Sequence, residues 1–190
     1  MGLLDILRGR SQPKAPNLDN LFAVPGAAIT LQTSVGLTPT GEGAVCYRAA
    51  QGAAMSDLQQ STEALIEADG GPQADRTVDG YGFTWLLVHG DPADVSGLMT
   101  DLHAVNTGLE TQGFGSSLLC SLVAFTDGSG RRLGLVYLYK RGTFYPFCPT
   151  GPKSRDTLLE RQVRDALGND LRIEPDTSRW MPVWGAPGLG

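Results

Sequence analysis

The chain has 190 residues, 41% of them hydrophobic and 18% charged, a balance that supports one buried core and excludes global disorder. Its 25 glycines and 12 prolines mark many turns without a low-complexity tract, and a formal charge of −5 argues against a general nucleic-acid binder. No apolar run approaches the ~20 residues needed to span a bilayer, and the first residues carry no signal-peptide core or cleavage site, so a cytoplasmic protein is expected.

The first ten residues place Leu3, Leu4, Ile6 and Leu7 in one apolar cluster followed by Arg8 and Arg10. This predicts a short helix with its cations at the C-terminal end, where the helix dipole favours them. The stretch 11–16 (SQPKAP) reads as a linker, so residues 1–16 are set apart from a single domain over 17–190. A helical turn is expected over Leu18 to Ala23 with Asn17 as N-cap. Two strands are then expected, Ala28 to Thr33 and Gly43 to Arg48, joined as a hairpin by the turn-rich 36–42, with a helix over Ala27 to Val35 as the alternative for the first.

Ser56 with Gln59 three residues later has the spacing of a capping box, and Leu58, Thr62, Leu65 and Ile66 line one face of the helix it would open. The aromatic run 81–88 reads as a strand apolar on both faces. Asp91 and Pro92 are expected to open the next helix, whose buried stripe is Val95, Leu98, Leu102, Val105 and Leu109 and which Gly113 ends. Two central strands follow over 117–126 and 132–139, joined by Asp127-Gly128-Ser129-Gly130, with a further strand over Thr143 to Phe147. The last helix is expected over 154–167, with Leu159, Val163 and Ala166 inward. Trp180 and Trp184 lie in a proline-broken tail and are expected to dock on the domain. Hairpins dominate this order, which predicts an α+β fold: a mainly antiparallel sheet of five or six strands with helices packed on it.

Charge is uneven along the chain. Residues 57–110 hold ten acids against one base, net −9, whereas 128–155 hold six bases and no acid. The basic region interleaves with aromatics through Lys140, Arg141 and Tyr145. It is either a surface for an anionic partner or one that the acidic region neutralises across the fold. Leu3, Leu4, Ile6, Leu7 and Arg8, together with Lys140, Arg141 and Tyr145, are the candidate partner-binding residues. The short N-terminal helix also suits weak, peripheral contact with an anionic membrane surface. Trp85, Tyr137 and Tyr139 are the candidate lining of a small-molecule or anion pocket beside the sheet.

No catalytic motif is present: there is no G-x-S-x-G elbow, no Walker-type phosphate loop and no H-E-x-x-H. Cys46, Cys120 and Cys148 are odd in number and widely spaced, which fits neither a disulfide framework nor a close-spaced zinc site. Cys120, in Leu118-Leu119-Cys120-Ser121-Leu122-Val123, reads as a small buried hydrophobe, and Cys148 beside Pro149 as the more exposed thiol. A hydrolase pairing Cys148 or Cys120 with His103 is the remaining enzymatic reading. The residues point to no metal and no cofactor, and to a protein that is not an enzyme.

Five segments resemble the PspA-associated protein family PspAB of actinobacteria and related bacteria. They are Met1 to Asp5, the block Tyr81-Gly82-Phe83-Thr84-Trp85, the segment Asp101 to Asn106, the run Leu135 to Phe147 and the ending Arg179 to Gly188. The resemblance spans essentially the whole chain, and the run and the ending are its most specific parts. It implies a non-enzymatic accessory role beside PspA, the phage-shock protein that maintains the inner membrane under envelope stress. Contact with a PspA-like protein would run through the N-terminal helix and the basic aromatic hairpin. The family brings no assigned catalytic or ligand-binding residues with it.

Overall fold

The computed structural model describes residues 17–49, 60 and 74–190. The helix expectation over 1–10 lies outside the described residues, and so does that over 56–66 apart from residue 60. Six antiparallel strands form one sheet: β1 (Thr38–Tyr47), β2 (Ala74–Val78), β3 (Thr84–His89), β4 (Leu118–Thr126), β5 (Arg132–Leu138) and β6 (Thr143–Phe147). Their spatial order is β2-β3-β1-β4-β5-β6. A small separate pair, β7 (Pro149–Gly151) and β8 (Ser154–Arg155), follows. Three helices, α1 (Val24–Ser34), α2 (Val95–Leu109) and α3 (Thr157–Leu167), pack on the sheet. The fold is a single α+β domain, as expected.

The stretch expected as the first strand is helical. Val24, Ala27, Ala28 and Leu31 are buried in α1 at the spacing of one helix face, while the β-branched Ile29 is 66% exposed. Thr33 Oγ1 donates back to the Ile29 carbonyl at 2.9 Å, so a residue that favours strands is accommodated on the helix surface. The segment before it, Leu18–Ala23, is a 3₁₀ turn preceded by Asn17, whose side chain makes no capping bond.

Of the turn expected at 36–42, residues 38–42 are instead the first half of β1. A bulge between Pro39 and Gly43 absorbs its turn residues, and the Thr38 and Thr40 hydroxyls donate to carbonyls of β4. Gly41 sits there at φ 82°, and a side chain on it would meet the Gly90 carbonyl at 2.3 Å. Two residues on, a Cβ at Gly43 would lie 2.9 Å from Leu102, so α2 packs directly on bare backbone.

β2 is an edge strand that hydrophobicity does not reveal: it is polar, with four of its five residues exposed. α2 starts at Val95, later than expected. Asp94 is its N-cap, accepting from the Gly97 N–H at 2.8 Å, while Asp91 caps the preceding turn through the Ala93 N–H. Gly113, at φ 87°, does end that helical stretch. α3 begins at Thr157 with Asp156 as its cap, and Leu167 rather than Ala166 completes its buried stripe.

Strand alternation sorts the interior into two clusters. The first joins Val45, Leu86, Val88, Val123, Phe125, Leu135, Tyr137 and Phe144 to the buried stripes of α1, α2 and α3. The second lies on the opposite face, where Ala44, Trp85, Leu122, Val136 and Phe147 meet Trp180, Ala186 and Leu189 of the C-terminal segment. Trp180 is buried and Trp184 half-buried, as expected of docked tail residues.

Candidate functional site

On the tail-covered face the sheet carries an apolar cleft of about 470 Å³. Its floor is built by alternation: Cys46 of β1, Trp85 of β3, Cys120 of β4, Leu138 of β5 and Tyr145 of β6 all point to this side. Tyr81 and Phe83 of the β2–β3 turn form one wall, and Met181 to Trp184 form the other. The rim is unusually apolar for an outer surface, with Tyr81 64% and Met181 60% exposed.

Both walls are held by polar anchors. Asp79 accepts from the Tyr81 N–H at 2.9 Å, the Phe83 N–H at 3.0 Å and the Trp85 indole at 2.9 Å, which shapes the turn and fixes the tryptophan. Partial burial works against its charge, but these donors outweigh it and hold its carboxyl below the usual range. On the tail side the Tyr145 hydroxyl donates to the Met181 carbonyl at 2.8 Å, and Arg155 donates to the Trp180 carbonyl. The Trp180 indole donates to the Glu174 carbonyl, and Trp184 sets its ring edge-on to Phe147. Ahead of these anchors, Ile173 forms an isolated parallel bridge to Phe144 of β6.

Two buried carboxylates fasten this segment. Glu174 accepts from Arg141, from the Thr143 hydroxyl at 2.7 Å and from the Asp176 N–H. Burial opposes its charge, but these donors prevail and keep its carboxyl below the ordinary value. Glu160 of α3 accepts from the Cys148 N–H and from Arg155, whose guanidinium also lies 4.9 Å from the Phe147 ring centroid.

The structure divides the residues expected to act together. Trp85 lines the cleft, whereas Tyr137 and Tyr139 face the helices, so these three do not share a pocket. The Tyr137 hydroxyl donates to the Asn17 carbonyl, and burial pushes its ionisation up to about 12. Tyr145 is buried and lines the floor of the cleft. Among the described residues, Arg141 is taken up by Glu174, Arg155 by Glu160 and Arg131 by Asp127, so three of the six bases are paired with acids at 127, 160 and 174. Lys140 and Lys153 are exposed. Leu3, Leu4, Ile6, Leu7 and Arg8 lie outside the described residues.

The thiol expectations change as well. Cys148 is buried, not exposed, and burial first of all pushes its thiol far above the ordinary value. Cys120 opens toward the cleft, with the sheet between it and α2, which carries His103. His103 itself contacts Thr107, Asp19 and the Phe22 ring. His89 lies 3.0 Å from Asp75 on the edge strand. No cluster of three or more metal-ligating side chains occurs among the described residues, and none of their helices is long and apolar enough to cross a membrane.

The cleft's wall and floor residues Tyr81, Phe83 and Trp85, Leu138 and Tyr145, and Met181 to Trp184, fall in three of the five stretches that carry the family resemblance. The chain is thus an α+β domain with a six-stranded antiparallel sheet, helices on one face and a tail-walled apolar cleft on the other. The chain belongs to the PspAB family, PspA associated protein B, whose family model matches residues 1–188. No curated relative and no solved structure matches the chain.

Proposed function

We propose that this protein is a non-enzymatic accessory of PspA in the phage-shock response, and that the cleft receives apolar side chains from a helix of PspA. The observation that carries this reading is the exposed aromatic and thioether rim of Tyr81 and Met181 over an apolar floor. That arrangement suits an amphipathic helix laid in a groove. Membership of a family described by its association with PspA supplies the partner. The exposed Lys140 and the leucine-rich first ten residues are the secondary contacts of the same complex, the latter also meeting anionic membrane weakly.

The test is capture of purified PspA by the full chain and by a Tyr81→Asp, Met181→Asp double variant. Both positions are on the rim, so the variant should keep the thermal midpoint of the parent. We expect capture to fall about tenfold or more, which corresponds to roughly 1.4 kcal/mol. Unchanged capture by this variant overturns the cleft as the docking site. Loss of capture on deleting residues 1–10, or on Lys140→Glu alone, would shift the contact to the secondary surfaces.

A second reading is favoured by the cleft's volume, which falls within the ~300–1,000 Å³ typical of small-molecule sites. An apolar ligand bound there would raise the thermal midpoint of the isolated protein in a screen of fatty acids and aromatic acids.

A further inference from the structure

Cys46 and Cys120 are 74 positions apart in sequence and directly opposed in space. They are Cα partners in the β1–β4 ladder, both are free thiols, and both line the floor of the cleft. Directly opposed residues of antiparallel strands lie about 4.5–5.5 Å apart at Cα, within the span that a disulfide bridges. Both side chains point to the same face, because alternation puts opposed residues on one side of the sheet. The register shifts between Cys46 and Tyr47, so the ladder is already irregular where a bond would form.

We propose that Cys46 and Cys120 are a dithiol modification site, converted to a cross-strand disulfide by a small apolar disulfide that enters through the cleft. Cys120 is the more open of the two and attacks first. Its sulfur bonds to one sulfur of the incoming disulfide, whose S–S bond breaks, and one thiolate leaves carrying the electron pair. Cys46 then attacks the Cys120 sulfur, the mixed S–S bond breaks, and the second thiolate leaves. The two cysteine protons end on the two released thiols, and the two electrons lost by the cysteines reduce the reagent. The neighbouring Cys120 thiol, then burial, keep the Cys46 thiol protonated in the resting pair, and burial still does so once Cys120 carries the mixed disulfide, so the second step is the slow one. In a reducing compartment the pair rests as the dithiol, and an oxidative pulse converts it. This inference does not depend on PspA as the occupant of the cleft.

The experiment treats the folded full chain at neutral pH with dithiodipyridine and follows released thiopyridone and intact mass. We expect two thiopyridones per chain, a mass lower by two hydrogens, and a 46–120 linked peptide in the digest, all reversed by dithiothreitol. Cys148→Ala should behave as the parent does. Cys46→Ser should stop at one stable pyridyl adduct on Cys120. Two stable adducts on the parent, linkage involving Cys148, or no reaction at the pair while circular dichroism shows a folded chain would each overturn the proposal. The parent chain carries the decisive readout, so a variant that fails to fold does not blunt the test.

Discussion

The two faces of the sheet are covered by different means. On one, three helices lay periodic apolar stripes across Val45, Leu86, Val123 and Leu135, and the packing is dense enough that Gly43 admits no side chain against Leu102. On the other, an irregular segment supplies Trp180, Ala186 and Leu189, and stops short of sealing the sheet, leaving the cleft. A helix brings an apolar residue to the sheet at every turn and satisfies its own backbone. The tail is pinned instead at separate points: Glu174, the Trp180 indole and the Tyr145 hydroxyl. Face one is therefore continuous core, and face two is a set of anchors around a gap. Local opening should be concentrated in the second.

Three substitutions probe that contrast. Leu102→Ala removes a fully buried side chain of α2 from the continuous face and should cost about 3–4 kcal/mol in urea unfolding, with the loss felt by the whole domain. If the cost were below ~1 kcal/mol, the helix-covered face would not be the rigid one. Trp180→Ala should cost about 2–3 kcal/mol. Its signature is different: hydrogen exchange should rise across 174–190 while α2 and β4 stay protected. Uniform loss of protection would show that the tail is part of the same cooperative unit.

Glu174→Gln has the smallest expected effect, about 1–2 kcal/mol, because water screens the part-exposed Arg141 side of the pair. The folded-state pKa of Glu174 is depressed, so its contribution is present above the ordinary carboxyl value of 4.5 and fades as pH falls through the lower folded value. The parent should thus lose stability below about pH 4.5, and Glu174→Gln should show a flatter acid limb. Equal acid limbs in thermal melts would assign the acid sensitivity to other carboxylates.

Legibility followed the same division. The stripe of α2 and the paired strands β4 and β5 were readable because burial imposes a period on them. The α1 segment carried a helical stripe at 24, 27, 28 and 31, but Ile29, Thr30 and Thr33 pulled the reading toward a strand. β2 escaped because an exposed edge strand has no apolar signal. At the site, Trp85 lines the cleft while Tyr137 and Tyr139 face the helices: alternation says that the two tyrosines share a face, not which face. Tyr81 and Met181 could have been noticed only as large apolar residues in turn-rich stretches.

By itself, the sequence determined the α+β class, the antiparallel pairing through short turns, the inward stripes of α2 and α3, and the family, because each of these rests on local periodicity, turn chemistry or near-continuous motif. The tertiary structure alone decided which face the tail covers, how three of the six bases are paired, and that Cys46 meets Cys120. Those facts depend on strand order and register, which bring together residues that the chain holds far apart.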